Sequence, residues 1–111
     1  MANAPMYRDR VIVAIVRFPL DPPLPADEVR EMFQASAPSY QDVPGLLRKH
    51  YLRAEDGATA GGVYLWKNRE AAEAVYDDAW HKRLTAKYGA PPTVEYFESP
   101  VTVDPDQITV E

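Results

Sequence analysis

The stretch Val11-Ile12-Val13-Ala14-Ile15-Val16-Arg17-Phe18 is apolar on both of its alternations and rich in β-branched residues. A strand with one solvated face alternates apolar and polar side chains, whereas a strand covered on both faces reads as an almost unbroken apolar run. This run therefore predicts a central strand, and the fold must supply cover on both of its sides. Pro19 and the Asp21-Pro22-Pro23 run end it, because proline cannot donate to a ladder.

Downstream signals fill in the rest. Pro25-Ala26-Asp27-Glu28 reads as a helix start, with proline early and carboxylates at the positive end of the dipole. Val29, Met32, Phe33 and Ala37 then give one apolar stripe on a helix over about 25–37. Pro44-Gly45 resets the chain for a hairpin in which Leu46–Arg53 and Val63–Lys67 flank Glu55-Asp56-Gly57, a turn where glycine takes positive φ freely. Gly61-Gly62 marks a bulge or a close backbone approach.

Asn68 is a good N-cap for a second helix, whose stripe runs through Ala72, Val75, Tyr76, Ala79, Trp80 and Leu84. Asp77-Asp78 has poor helix propensity and predicts a kink or break, and Tyr88-Gly89 followed by Pro91-Pro92 ends the helix. Thr93–Glu98 is the last full strand, with Val101-Thr102-Val103 as a candidate extension past Pro100. Ile108 and Val110, on a polar tail over 104–111, suit docking on a neighbour. Residues 1–8 have little pattern and are expected to be loose.

The order β-α-β-β-α-β predicts an α+β, ferredoxin-like domain with a four-stranded antiparallel sheet and both helices on one face. One domain over 1–111, with its core at about 9–103, fits a chain of this length. No third helix is left to cover the other face of the central strand. A homodimer packed sheet against sheet, a dimeric α+β barrel, answers that need.

Composition removes several function classes. The net charge of −5 repels nucleic acid, and the absence of cysteine excludes thiolate nucleophiles and Cys-based metal sites. No apolar stretch reaches the roughly 20 residues that span a bilayer, and the start lacks a secretory h-region, so a cytoplasmic protein without a membrane partner is expected. The two histidines, His50 and His81, are too few to cage a metal unaided.

What remains is an aromatic constellation with a few titratable groups. Tyr64 and Trp66 share one face of a strand at a spacing of roughly 7 Å. On the partner strand Arg48 and His50 share one face, and Lys49 and Tyr51 the other. Which pair lies beside Tyr64 and Trp66 depends on a register that the sequence leaves open. Tyr76 and Trp80, one helical turn apart, point towards the sheet. All four large rings have the plainer reading of core side chains, His50 that of a solvated strand residue, and Arg48 and Lys49 that of surface ion-pair partners.

Three segments carry a resemblance: Pro44-Gly45-Leu46-Leu47-Arg48-Lys49, Ala60-Gly61-Gly62-Val63-Tyr64-Leu65-Trp66 and Glu70-Ala71-Ala72-Glu73-Ala74. Together they resemble the YdhR-type monooxygenases, which belong with the antibiotic-biosynthesis-monooxygenase-like dimeric α+β barrels. The likeness covers about residues 11–103, with PGL-x-x-K and AGG-x-Y-L at its centre. It implies a homodimer, a pocket between sheet and helices in each subunit, and oxidation of a phenolic or polyaromatic substrate by O2 without metal or flavin. Trp66 falls where the quinone-forming relatives carry a tryptophan at the end of the third strand. Their helix histidine is replaced near Tyr76, and their tryptophans on either side of Lys49 are replaced by Arg48 and Tyr51.

The expected function is thus a cofactor-independent monooxygenase acting on a small aromatic molecule. A phenol must be deprotonated before it gives electrons to O2, and its anion needs stabilising in an apolar cavity. His50 or Tyr76 is the candidate base, Lys49 or Arg48 the anion holder, and Tyr51, Tyr64, Trp66 and Trp80 are candidate walls. The alternatives are a non-catalytic binder of a small hydrophobic ligand, and a haem-degrading relative of this fold using His50 or His81.

Overall fold

The computed structural model describes residues 10–111, so the expected loose start at residues 1–8 lies outside the described residues. The elements run β1 (Ile12–Pro19), α1 (Ala26–Ser36), a 3-10 turn (Ala37–Tyr40), β2 (Leu46–Arg53), β3 (Thr59–Trp66), α2 (Arg69–Val75), α3 (Asp78–Tyr88) and β4 (Thr93–Glu98). A separate hairpin, β5 (Val101–Asp104) and β6 (Gln107–Val110), follows. The four long strands form one antiparallel sheet in the order β2-β3-β1-β4, which is the ferredoxin-like arrangement.

β1 lies in the middle of the sheet, as its double apolar alternation requires. Ile12, Ala14, Val16 and Phe18 are buried on the helix side with Val29, Ala60, Tyr64, Trp66, Ala72, Tyr76 and Trp80. Val13 and Ile15 point the other way and are only half-buried. Burying one Phe-sized side chain stabilises a fold by up to about 3 kcal/mol, so Trp66 and Trp80, both fully buried, anchor this layer.

Local chemistry sets the joints. The Asp56-Gly57 turn closes the β2–β3 hairpin with Gly57 at φ 74°, and a side chain there would meet the Leu24 carbonyl at 2.6 Å. The second helix divides at the Asp77-Asp78 pair. Tyr76 leaves helical geometry at φ −86° and ψ 48°, and the Asp77 carboxylate caps α3 by accepting from the Trp80 amide at 2.8 Å. The Asn68 side chain caps α2 in the same way, accepting from the Ala71 amide.

Two details differ from the sequence reading. β3 starts at Thr59, so Gly61-Gly62 lies inside a regular ladder, and the register irregularity falls instead on β2 between Leu46 and Arg48. Gly61 is a close approach: a Cβ there would lie 1.8 Å from the Val16 carbonyl oxygen. In addition, Val101–Val103 does not extend β4 but pairs with the tail. Val101 and Val103 face Val110 and Ile108, and all four are exposed.

Candidate active site

The hairpin register decides which side chains meet. Lys49 pairs with Tyr64 and Tyr51 with Gly62, and Tyr64 in turn stands opposite Ala14 of β1. Lys49 and Tyr51 therefore lie on the helix face with Tyr64 and Trp66. Arg48 and His50 pair with Leu65 and Val63 on the opposite face, and both are exposed.

The large rings of this layer fall into two groups. The first is packed solid. Tyr64 stacks on Trp66 with ring centroids 5.9 Å apart, and Tyr76 meets both edge-on at 5.3 and 5.8 Å. Trp66 Nε1 donates to the Tyr76 hydroxyl at 3.0 Å, and Trp80 packs on Tyr76 at 4.8 Å. Burial pushes the Tyr76 phenol well above its ordinary pKa, outweighing the Trp66 donor that favours the phenolate.

The second group surrounds a cavity of about 120 Å3 between the sheet and the far half of the helical layer. Val16, Phe18 and Gly61 form part of its floor, Phe33 and Ser36 come from α1, Tyr40 from the 3-10 turn, and Leu84, Lys87 and Tyr88 from α3. Lys49, Tyr51 and Tyr64 complete it. Phe18 stacks on Tyr88 at 4.0 Å and Phe33 on Tyr51 at 4.6 Å, so much of the wall is ring face. The Ser36 hydroxyl donates to the Phe33 carbonyl and lies 2.5 Å from the Tyr51 hydroxyl, which is thereby left to donate to it.

Lys49 Nζ sits within a cage of three tyrosines, 3.5 Å from the ring centroid of Tyr40, 3.8 Å from Tyr51 and 4.5 Å from Tyr64. Among the described residues no carboxylate pairs with it. Burial, and secondarily the nearby Lys87 ammonium, lower its pKa from an ordinary 10.5 to about 7. The negative faces of the rings act in the opposite sense, favouring the cation. Burial raises the pKa of Tyr51, Tyr64 and Tyr88, so these phenols stay neutral donors.

The candidate residues named from sequence thus separate. Lys49, Tyr51 and Tyr64 come together at the cavity. Trp66, Tyr76 and Trp80 are core rings behind it, and Trp80 reaches the site by an indole N–H donated to the Tyr40 hydroxyl at 3.3 Å. His50 and Arg48 lie across the sheet, so neither serves as base or anion holder for this cavity. His81, edge-on to Trp80, does not border it either. Tyr40, Lys87 and Tyr88 escaped sequence reasoning, because each joins the site through packing of separate elements. Among the described residues no three His, Asp or Glu side chains cluster as metal ligands, and no helix is long and apolar enough to cross a membrane.

Comparison with known proteins extends this geometry. The family model described as "Putative mono-oxygenase ydhR" matches residues 13–100. The chain belongs to the YdhR family. No curated protein matches it significantly. Among solved structures, this YdhR-family chain is similar in fold to the monooxygenase ActVA-Orf6 of Streptomyces coelicolor, solved in complex with nanaomycin D. That match has a TM-score of 0.65 at 21% identity and covers 87% of this chain and 94% of that one. SnoaB, a cofactor-independent oxygenase of Streptomyces nogalater, matches with a TM-score of 0.59 at 19% identity, covering 85% and 97% of the two chains. The protein NE2512 of Nitrosomonas europaea, of unknown function, gives 0.67 at 16% identity, covering 88% and 97%.

Proposed function

We propose that this protein is a cofactor-independent monooxygenase that oxidises a small phenol with O2. Family membership supports the general class. The observation that carries the reading to this substrate is the ring-walled cavity with the ring-caged amine of Lys49 inside it and no carboxylate among its described lining residues. An apolar chamber binds an aromatic guest through its ring faces, and a buried cation opposite the guest's oxygen favours the phenolate. The phenolate is the electron-rich form that reacts with O2. One oxygen atom bonds to a ring carbon and the other leaves as water, so a phenol and O2 give a quinone and water.

The size of the chamber supports a one-ring substrate. Its volume of about 120 Å3 is close to the roughly 150 Å3 that accepts benzene, so a fused three-ring system needs the walls to part. The supporting experiment is an oxygen-electrode survey of one-ring phenols and hydroquinones beside dihydroxynaphthalene and anthrone-like compounds. Uptake with the one-ring compounds, lost in Lys49→Met, is the expected result. Tight binding of the same compounds with no oxygen consumed overturns the enzymatic reading and leaves a binding protein.

The functional unit we propose is a homodimer. Val13, Ile15, Val63 and Leu65 on the helix-free face of the sheet are only half-buried, and Leu52 and Phe97 beside them are exposed. A second copy laid against that face covers the side of β1 that the helices leave open.

A further inference from the structure

We propose that Lys49 is the catalytic base of this cavity: its neutral amine takes the phenolic proton of the guest, and the tyrosine cage holds the ammonium that forms. This rests on the reading of the site as a phenol-oxidising chamber, and it replaces a passive anion holder with a proton acceptor.

Elimination supports it first. The ionisable groups that face Lys49 are Tyr40 from the 3-10 turn, Tyr51 from its own strand, Tyr64 from β3, and Arg83, Lys87 and Tyr88 from α3. No carboxylate or imidazole is among them. Tyr51, Tyr64 and Tyr88 are held neutral by burial and so are poor acceptors. Arg83 carries a guanidinium, a fixed cation that does not take up a proton. Lys87 also lines the chamber, but it is exposed to solvent, with its ammonium 5.4 Å from the Tyr88 ring centroid. Of the two amines that line the chamber, Lys49 is the one withdrawn from solvent and caged by rings.

Geometry supports it next. A lysine locked in a salt bridge is held as the cation, but Lys49 has ring faces around it and no carboxylate within reach among the described residues. Those faces stabilise an ammonium electrostatically without themselves accepting a proton. They therefore favour the state after transfer more than the state before it. With its pKa lowered to about 7, a large share of the amine is neutral at ordinary pH.

The step balances without a cofactor. The phenol O–H bond breaks, its electron pair stays on oxygen, and an N–H bond forms on Lys49 Nζ. An uncharged pair becomes a phenolate–ammonium pair, and no atom changes oxidation state. Electrons then leave the phenolate for O2 only in the following step.

The test uses full-length protein carrying lysine labelled with 13C at Cε, kept free of oxygen. One resonance, absent from Lys49→Arg and Lys49→Met, is expected to titrate near pH 7. At pH 8, one-ring phenol is expected to shift that resonance to the ammonium position while the bound phenol takes on phenolate absorption. With O2 admitted, kcat/KM rises through about pH 7 in the native protein. Lys49→Arg keeps a cation to bind phenolate but loses this rising limb, and its kcat/KM falls by about 10²–10⁴-fold.

A Lys49 that stays an ammonium from pH 6 to 9 without ligand overturns the proposal. So does an unchanged pH profile in Lys49→Arg. Proton transfer without oxygen uptake keeps Lys49 as a base and removes the oxygenase reading. Oxygen uptake indifferent to Lys49 does the reverse, and a chamber that binds no phenol removes both.

Discussion

Lys49 and Tyr64 stand directly opposite each other across β2 and β3, and that pairing holds the lysine ammonium 4.5 Å from the tyrosine ring centroid. A one-residue slip would exchange Lys49 for Arg48 or His50 and leave the chamber without this amine. Chemistry at the site therefore depends on strand register, which is fixed by the Asp56-Gly57 turn at one end and the irregularity after Leu46 at the other.

Stability should carry the signature of Lys49. Its folded-state pKa of about 7 lies below the ordinary 10.5, so between these values the unfolded chain binds more protons than the folded one. Stability is expected to rise with pH from about 7 upwards. Above pH 10 the sign reverses, because the raised pKa values of Tyr51, Tyr64, Tyr76 and Tyr88 let the folded state keep protons the unfolded chain loses. Urea unfolding at pH 6, 7, 8 and 9 checks this, and the rise should vanish in Lys49→Met.

Removing the Tyr76 hydroxyl separates core from site. In Tyr76→Phe the ring packing on Trp66 and Trp80 is kept, but Trp66 Nε1 loses its acceptor while fully buried. An unsatisfied buried donor costs about 1–3 kcal/mol, so the unfolding free energy measured in urea should fall by that amount. Phenol affinity and the pH dependence of turnover should be unchanged, since Tyr76 lies behind the chamber. A variant that folds as well as the native protein but loses turnover would place Tyr76 in the reaction after all.

Gly61 shows how unevenly the fold is legible in the sequence. The double apolar alternation of Val11–Phe18 marked the central strand, Asp-Gly the hairpin turn, and Asp77-Asp78 the break between α2 and α3. Each is a local rule with a local cause. Gly61-Gly62 allowed either a bulge or a close approach, because glycine suits both, and only the neighbouring Val16 carbonyl decides between them. The side of the sheet that Lys49 faces was illegible for a related reason. Both alternations of Leu46–Arg53 carry a cation and a ring or imidazole, so hydrophobic pattern cannot set the register. The chamber itself is a product of tertiary packing: Tyr40 and Tyr88 reach it from segments far apart in the chain.

The same glycine gives a sharp stability test. Gly61→Ala puts a methyl group 1.8 Å from a carbonyl oxygen in the adjacent strand, and backbone atoms there cannot turn aside. The loss should reach about 3 kcal/mol, the upper end for overpacking, and shift β1 away from β3. Gly89→Ala is the control. At φ 83° with open space around it, it should cost only the left-handed backbone penalty of about 1–2 kcal/mol. Equal losses in the two variants, measured by urea unfolding, would mean the strands separate easily at Gly61.

The helix-free face should behave as a subunit boundary. Leu52 lies on one edge strand and Phe97 on the other, 40% and 45% exposed, with half-buried Val13, Ile15, Val63 and Leu65 between them. The β5–β6 hairpin adds Val101, Val103, Ile108 and Val110, paired on one side of two strands and left exposed by the described residues. A lone two-stranded hairpin is at best marginally stable in water, so this one needs a surface to lie on. Sedimentation at micromolar concentration should therefore report a dimer. Phe97→Lys should convert it to a monomer with native circular dichroism and a lower urea midpoint. Val103→Lys combined with Ile108→Lys should weaken the dimer and leave the sheet intact. A native protein that sediments as a monomer overturns the proposed assembly and leaves the Lys49 chamber, which one chain builds alone, untouched.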